Sequence, residues 1–430
     1  MIKRLSTKDK NFLSSLEKLL DYRGSVDYEK VSNDVDDILK KIRLEGDSAL
    51  LSLTEKLDGQ KYSSISELEV VDFDGSLQQV PKKLKNALEI SAQRIRTYHN
   101  RQVQESWEYV DDKEIRLGQK VTALDTVGIY VPGGTACYPS SVLMNAIPAK
   151  VAGVRQIIMV VPAPNRELSR EVLAAAELSG VSRIFKIGGA QAIGALAYGT
   201  SSVPKVDKIV GPGNLYVATA KSKVFGTVGI DMMAGPSEVL IICDGKTPVD
   251  WIAMDLLAQA EHDEKAQAIL VSQDADFLNS VEGRLKILAT EMPRSKVMLT
   301  SLREKGALIK VETLKEAIDI ANVVAPEHLE LSVENARSYV DSIRNAGALF
   351  IGRYTPESFG DYCAGTNHVL PTSGSARFSS ALGVSDFQKK TSIVECSEQG
   401  AKHLSEIAAA IGMVEGLDAH AMSALMRGKG

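Results

Sequence analysis

The first candidates for chemistry are two adjacent polar residues, Glu327 and His328, in the segment "VVAPEHLELS". An imidazole whose pKa lies near neutrality can accept a proton, and a carboxylate beside it can activate water. The pair also has a simple structural interpretation. Pro326 is typical of a first helical position, and an acidic residue next to it would stabilise the positive end of a helix dipole. These ten residues alone leave both interpretations open.

Other polar residues have the side chains that a metal or substrate site needs. In "LLAQAEHDEKAQ", Gln259 and His262 are three residues apart and would share one face of a helix. Asp361 and His368 lie in a later polar segment. Imidazole suits zinc well, whereas an amide oxygen is a possible but unusual ligand. A solvent-facing helix end explains Gln259 and His262 equally well.

The remaining histidines and the cysteines carry less information. His99 is interpreted as a surface residue near a helix end, and His403 as a polar residue on a helix. The four cysteines are far apart and form no CxxC motif, so no zinc finger or disulfide framework is predicted. Cys137 and Cys363 have no identifiable basic partner, and a free cysteine is more often a small buried hydrophobe than a nucleophile. The absence of HExxH and GxSxG motifs disfavours a metalloprotease and an α/β-hydrolase.

Three glycine-rich turns follow apolar runs: "VPGGT", "IGGAQ" and "VGPGN". Such turns can offer backbone N–H groups to a phosphate. None of them matches GxGxxG followed by an acidic residue at the expected distance. Tight packing between strand and helix explains these turns as well as nucleotide binding does.

Composition restricts the class of protein. The chain has 430 residues, 44% of them hydrophobic, and a net charge of −5. That length predicts two or more domains, and the lack of a dominant basic block argues against nucleic acid as the main partner. The basic start "MIKRLSTKDKNF" is not followed by an apolar run, and no apolar stretch reaches membrane-spanning length. We therefore expect a cytoplasmic protein without a membrane partner.

The elements that would position these residues follow from periodicity. Apolar stripes at helical spacing predict helices in roughly the first hundred residues. Two series of short apolar runs, each alternating with helical segments, then predict two incomplete Rossmann-like parallel-sheet domains of α/β class, and a weak similarity between the two series suggests a duplication. A ligand cleft is expected at the carboxyl ends of their strands. The aromatic-containing polar stretch 353–387 is interpreted as an ordered site loop.

We expect four parts along the chain. Residues 1–105 form a helical part that packs with the second α/β unit, and residues 106–235 form the first α/β domain. Residues 236–375 form the second α/β domain, which carries the polar pair at 327–328. Residues 376–430 form a tail with two short helices that divide near Glu415.

The chain resembles the histidinol dehydrogenase family over essentially its whole length. The resemblance is carried, in the family's order, by "YVPGG", "VGPGN", "AGPSE", "AQAEHD", "VAPEHLEL" and "ESFGDYCAGTNHVLPT". It implies a homodimer that oxidises L-histidinol to L-histidine through histidinaldehyde with two NAD⁺ and one zinc ion per subunit.

The resemblance also implies residue roles. Gln259, His262 and Asp361 would be zinc ligands, joined by His420 from the tail of the partner chain. The imidazole and amino nitrogens of the substrate would complete a six-coordinate site. The further substrate contacts would be Ser237, His328, His368 and Glu415, the last from the partner chain, and the NAD⁺ contacts would be Tyr130, Gln191 and Asn214.

The reaction that the resemblance implies then divides the roles of the polar pair. Hydride leaves a carbinol carbon readily only if the hydroxyl proton is taken at the same time, which suits His328. The aldehyde must be hydrated before a second hydride can leave, and Glu327 can activate that water. Two other classes remain alternatives: a metal-dependent hydrolase or lyase on a similar scaffold, and a two-lobed solute-binding protein.

Overall fold

The computed structural model describes residues 2–21, 28–133, 137–163, 166–233 and 235–429. Part of the "VPGGT" turn, residues 134–135, therefore lies outside the described residues. In chain order the strands are β1 Lys3–Ser6, β2 Glu69–Val70, β3 Trp107–Val110, β4 Ile115–Ala123, β5 Thr126–Tyr130, β6 Gln156–Val160, β7 Arg183–Phe185, β8 Lys208–Val210, β9 Gly229–Ile230, β10 Glu238–Cys243, β11 Gln267–Ser272, β12 Ala307–Lys310, β13 His328–Ser332, β14 Ala348–Ile351 and β15 Gln388–Cys396.

Helices separate most of these strands, as the periodicity predicts. In chain order they are α1 Phe12–Leu20, α2 Tyr28–Glu45, α3 Asp47–Asp58, α4 Ser76–Gln79, α5 Lys82–His99, α6 Pro139–Ala152, α7 Arg170–Ser179, α8 Gly189–Tyr198, α9 Leu215–Val224, α10 Val249–Ala260, α11 Ala275–Glu291, α12 Ser295–Glu304, α13 Leu314–Val324, α14 Glu357–Tyr362, α15 Glu398–Val414 and α16 Asp418–Gly428.

The first sheet has the strand order β2-β7-β6-β5-β8-β9. All neighbours in it are parallel except the short edge pair β2–β7. Its central strands are buried because helices cover both faces: α5, α6 and α7 pack on one side, and α2, α3, α8 and α9 on the other.

The second sheet has the order β1-β12-β11-β10-β13-β14, and every pair in it is parallel. Helices α10, α11 and α12 cover one face, and α1 and α13 cover the other. If the strands of each unit are numbered along the chain from β5 and from β10, both sheets have the order 3-2-1-4-5, with one added edge strand. The Rossmann-like α/β class is confirmed, and the shared order supports the duplication.

The N-terminal residues divide between the two units. Strand β1 pairs with the second sheet and helix α1 packs on it, as we expected. Helices α2, α3 and α5 instead pack on the first sheet, because their apolar stripes meet α6, α8 and α9. The expected packing of the whole segment 1–105 with the second unit is therefore wrong for residues 28–99, while the four boundaries themselves stay a prediction.

The tail begins with a strand that the sequence did not predict. Strand β15 pairs antiparallel with β4, which also pairs with β3, and together they form a third sheet. Helices α15 and α16 then pack against each other around Gly416. None of the described helices is long and apolar enough to cross a membrane.

One histidine lies where we did not expect it. The side chain of His99 is fully buried, not on the surface, because α5 packs against α6 and the loop at Asn367. Its Nδ1 donates to the carbonyl of Ile95 at 2.8 Å, and burial lowers its pKa. His99 is therefore a neutral structural residue.

Candidate active site

A cavity of about 700 Å³ lies between the two sheets. Its wall from the first sheet includes Pro132 and Gly211, which follow the carboxyl ends of β5 and β8. Its wall from the second sheet includes Ser237 and Glu327, which precede the amino ends of β10 and β13. A cleft at the carboxyl ends of the strands is thus correct for the first unit and wrong for the second.

The other edge of the second sheet is occupied by its own residues. Asp244 follows the carboxyl end of β10, and its carboxylate accepts a hydrogen bond from Arg353 at 2.6 Å. The same carboxylate accepts from the backbone N–H of Glu334 at 2.8 Å. These contacts hold the turns at that edge together, and the polar pair lies at the opposite one.

The pair at 327–328 lies at the start of a strand, not of a helix. Helix α13 ends at Val324, and Ala325 takes a left-handed conformation with φ +48° as its C-cap. Pro326 prevents the helix from continuing, and β13 begins at His328. The helix-start interpretation is wrong because the β-prone residues that follow pair with both β10 and β14.

Glu327 is held by the main chain of a neighbouring strand. It is 6% exposed, and its Oε2 accepts from the backbone N–H of Glu238 at 2.8 Å. Burial raises the pKa of Glu327 to about 8, although the imidazole of His328 lowers it in part. A carboxyl with a pKa near neutrality can both hold a proton and take one from water.

His328 is oriented by the same residue. Its Nδ1 lies 3.1 Å from the carbonyl oxygen of Glu238, which can only accept, so Nδ1 carries the proton. Its Nε2 lies 3.4 Å from Oδ1 of Asp361. Burial lowers the pKa of His328, but Glu327 and Asp361 among the surrounding carboxylates outweigh this effect and raise the pKa well above its usual value.

The predicted metal ligands of one chain lie close together. Gln259 is in the last turn of α10, and neither atom of its buried amide has a hydrogen-bond partner within the described structure. His262 lies in the turn after that helix, so the expected shared helix face is wrong, yet its ring lines the cavity. Burial lowers the pKa of His262, which keeps its ring neutral as a ligand must be. The main-chain N–H of His262 donates to the carbonyl of Gln259 at 3.3 Å, and the charge of Asp361 acts on the His262 ring, so the three residues are neighbours. An unpartnered amide, an imidazole and a carboxylate are groups that can bind a cation.

The donor set of one chain is nevertheless small. Among the described residues, no group of three or more His, Cys, Asp or Glu side chains has the arrangement of a metal site. His420 and Glu415 of the tail are exposed and do not line the cavity. The structure of one chain thus brings Gln259, His262 and Asp361 together and leaves the two tail residues apart.

The other predicted substrate contacts lie in the same cavity. Ser237 and His368 both line it. The Nδ1 of His368 lies 3.0 Å from the carbonyl oxygen of Asp361 and donates to it, which fixes the ring beside the predicted ligand. Burial lowers the pKa of His368, so its free nitrogen is available as an acceptor.

The predicted NAD⁺ contacts surround the carboxyl edge of the first sheet. Tyr130 ends β5, and its hydroxyl accepts from the backbone N–H of Gly189 at 3.2 Å. Gln191 is buried in the first turn of α8. Asn214 is the N-cap of α9, where its side chain accepts from the N–H of Val217 at 3.1 Å.

Sequence reasoning missed the ion pair that holds the "VGPGN" turn. Lys221 and Asp231 form a buried ion pair in the cavity wall. Lys221 donates to the carbonyl of Gly211 at 2.9 Å, and Asp231 accepts from the backbone N–H of Gly211 at 2.8 Å. Gly211 has φ +107°, which other residues rarely adopt. No local pattern marks this pair, because Lys221 reads as an ordinary helical lysine.

It also missed the carboxylates behind the pair. Glu357 is buried, and its Oε2 lies 3.8 Å from Nδ1 of His328. Its backbone N–H donates to the buried Glu330 at 2.8 Å. Burial raises the pKa of Glu330 to about 8 and that of Asp255 to about 7. The alternation of charge and apolar residues in "EHLELS" was the one available signal for Glu330.

Fold and site together define a two-unit α/β enzyme with a buried Glu–His pair in the cleft between its sheets. The family model for histidinol dehydrogenase matches residues 22–428. Histidinol dehydrogenase of Nitrosomonas europaea is 58% identical over 428 residues, covering 99% of both chains. That of Hydrogenovibrio crunogenus is 53% identical over 430 residues, covering 100% of this chain and 99% of the relative.

Structure comparison agrees. The crystal structure of histidinol dehydrogenase from Elizabethkingia anophelis has a TM-score of 0.93 and 33% identity, covering 100% of this chain and 98% of that one. The chain belongs to the histidinol dehydrogenase family, and it is an oxidoreductase.

Proposed function

We propose that this protein oxidises L-histidinol to L-histidine through histidinaldehyde, using two NAD⁺, as the last steps of histidine biosynthesis. The observation that carries the proposal is the Glu327–His328 pair at the cleft, with Oε2 of Glu327 and Nδ1 of His328 3.7 Å apart. Tyr130, Gln191 and Asn214 on the facing sheet are the proposed NAD⁺ contacts.

His328 is the base of both oxidations. Its Nδ1–H is committed to Glu238, so Nε2 is the atom that takes the proton of the substrate hydroxyl while hydride leaves the carbinol carbon for the dinucleotide. The carboxylates that raise the pKa of His328 are also the groups that a cationic substrate would neutralise. Substrate binding would thus bring that pKa back toward the range of a base.

Glu327 acts between the two oxidations. Its carboxylate takes a proton from water as the water oxygen adds to the aldehyde carbon, and the C=O π electrons move to the aldehyde oxygen. That oxygen then takes the proton back from Glu327, and the resulting hydrate can lose a second hydride. A pKa raised to about 8 makes Glu327 a stronger base than an exposed carboxylate. Ser237 and His368 are proposed to contact the substrate beside the pair.

Gln259, His262 and Asp361 are proposed to hold one zinc ion, with His420 from a second copy of the chain. The unpartnered amide of Gln259 supports this assignment. Bound zinc would hold and orient the amine and imidazole of the substrate. The proton transfers described above are assigned to Glu327 and His328 alone.

The tail supports a homodimer. Large apolar side chains are exposed along α15 and α16, which is costly in water unless another surface covers them. They include Ile407, Ile411, Met413, Val414 and Met426, and Val414 is 90% exposed. We propose that this tail covers the cleft of a second copy, which would bring His420 and Glu415 to its site. The cytoplasmic location and the absence of nucleic-acid and membrane partners stay predictions from the sequence.

The test is a count of products. The purified protein is incubated with L-histidinol and NAD⁺, and NADH and histidine are measured. Two NADH per histidine support the proposal, whereas turnover without NADH would favour a hydrolase or lyase. Removal of metal by a chelator should abolish activity, and zinc should restore it.

A further inference from the structure

One acidic residue outside the βαβ units reaches the cofactor edge of the first sheet. Asp58, the last residue of α3, lies at the amino end of α8. Its Oδ2 accepts from Nε2 of Gln191 at 3.1 Å. Burial raises the pKa of Asp58, while the backbone N–H of Gly188 and the Gln191 amide lower it. These donors favour the ionised form of the half-buried carboxylate.

Two of the N–H groups at the start of this helix already have acceptors. The backbone N–H of Gly188 donates to Asp58, and that of Gly189 donates to the hydroxyl of Tyr130. The negative charge of Asp58 also offsets the positive end of the helix dipole. Asp58 thus makes the amino end of α8 less favourable for an anion.

The amino end of α8 offers hydrogen-bond acceptors. Oε1 of Gln191 is buried and has no partner among the described residues, although a buried acceptor normally has one. A Cβ at Gly189, which has φ +61°, would lie 2.6 Å from that oxygen, so the glycine leaves room beside it. Together with the free lone pairs of Asp58, this arrangement suits a ligand with neighbouring hydroxyl donors.

Positive charge lies a short distance away. The guanidinium of Arg166 and the ammonium of Lys186 lie 4.6 and 5.6 Å from the ring centre of Tyr62. Burial raises the pKa of Tyr62, Arg166 lowers it, and the charge of Asp58 raises it, so Asp58 and Arg166 both lie within electrostatic reach of Tyr62. Groups that can accept from hydroxyls therefore lie near two cations, of which Arg166 is paired with Glu67, and a sugar joined to a diphosphate needs both kinds of group.

We propose that Asp58, oriented by Gln191, accepts hydrogen bonds from the adenosine ribose of the dinucleotide and selects NAD⁺ over NADP⁺. The proposal rests on the proposed NAD⁺-dependent function. A ribose diol donates to the carboxylate, whereas a 2′-phosphate brings a like charge against it. In doubly wound folds the ribose-binding acid usually belongs to the βαβ unit itself, whereas here it comes from a separate helix.

The test compares the two dinucleotides in the intact enzyme. With saturating L-histidinol, Asp58→Asn should lower the ratio of kcat/KM for NAD⁺ to kcat/KM for NADP⁺ about tenfold or more, chiefly through KM. Asp58→Glu keeps the charge and should still exclude NADP⁺ while raising KM for NAD⁺. Asp36→Asn is the matched control, because Asp36 pairs with Lys223 at an exposed site. It should leave the ratio of kcat/KM for NAD⁺ to kcat/KM for NADP⁺ unchanged.

A binding measurement separates the possible failures. Calorimetry measures the affinities for ADP-ribose and 2′-phospho-ADP-ribose. The wild type should bind ADP-ribose more tightly, and Asp58→Asn should narrow the gap between the two affinities. An unchanged gap, together with an unchanged ratio of kcat/KM, would overturn the role of Asp58 alone. A wild-type protein that reduces neither dinucleotide with L-histidinol would overturn the proposed function instead. If Asp58→Asn does not fold, Asp58→Glu decides the question, and equal use of NADP⁺ by that variant would contradict the proposal.

Discussion

His328 donates from Nδ1 to the main-chain carbonyl of Glu238 across 3.1 Å. The N–H of that same residue donates to the Glu327 carboxylate at 2.8 Å. One residue of β10 thus orients both members of the pair through its backbone, which no side-chain substitution removes. Variants of the pair can therefore test the chemistry of each side chain while the frame around them remains.

Glu327→Gln should mainly slow the hydration step, because the amide cannot take a proton from water. Oxidation of L-histidinol to the aldehyde in a single turnover should continue. Overall formation of histidine should fall by about 10²-fold or more, the usual range for a lost general base. Rapid-quench analysis of aldehyde and histidine separates the two steps.

His328→Asn is the companion of that variant and should slow both oxidations by a similar factor, since both need the same base. Loss of the alcohol step in Glu327→Gln with normal oxidation of supplied aldehyde would contradict the division of roles.

His420→Ala should reduce the zinc content of the purified protein, because a second copy of the chain is proposed to supply this ligand. His403→Ala is the matched control: it removes another exposed histidine of the tail, on α15. Metal analysis after dialysis gives the answer. Equal zinc in the His420 variant and the wild type would rule out the cross-subunit ligand.

Lys221→Met should destabilise the fold by about 3–5 kcal/mol, because it leaves Asp231 buried without its partner. It should also raise KM for NAD⁺, since the Gly211 turn loses its hold. Lys223→Met breaks an exposed pair two residues away and should cost less than about 1 kcal/mol. Urea unfolding of both variants measures the difference. Equal losses of stability would contradict the larger contribution expected of the buried pair.

Glu330→Gln should change how stability depends on pH. Burial, with the nearby Asp255 carboxylate, raises the folded-state pKa of Glu330 to about 8, above its unfolded value of 4.5. Between these values the folded state holds the proton and the unfolded state releases it, so wild-type stability declines as pH rises. The variant lacks this pH-dependent loss of stability. Its free energy of unfolding should therefore rise relative to that of the wild type between pH ~5 and ~8, by on the order of 1 kcal/mol per pH unit at most.

Glu334→Gln is the control for that measurement. A hydrogen bond from Lys246 lowers the pKa of the exposed Glu334, so its effect on stability should be constant over the same pH range. A difference between Glu330→Gln and wild type that does not vary with pH would contradict the assignment of a raised pKa to Glu330.

The sequence predicts the parts of the fold that depend on local pattern. The apolar runs that became β5 and β10 and the stripe of α2 are recognisable because burial on a sheet or helix face imposes a period. The edge strand β1 and the fully exposed strand β3 have no such pattern, so their pairing depends on partners distant in the chain. The direction of each sheet at the cleft is likewise a property of packing.

The candidate site divides in the same way. Glu327, His328 and His262 stand out because their side chains suggest chemistry and their motifs resemble a family. Asp58 meets Gln191 across 133 positions, and that separation leaves no local trace. Residues whose role depends on such contacts are found only when the chain is folded.

The two sheets meet the cleft with opposite edges, and this has a consequence for the proposed reaction, which would use two oxidant molecules in turn. The groups assigned to the dinucleotide belong to the first sheet, and those assigned to the carbon skeleton belong to the second. Under the proposed function, the reduced dinucleotide would leave from the first sheet while the reactive aldehyde stays bound to the second. The fold thus allows one half of the reactants to be exchanged in the middle of a catalytic cycle.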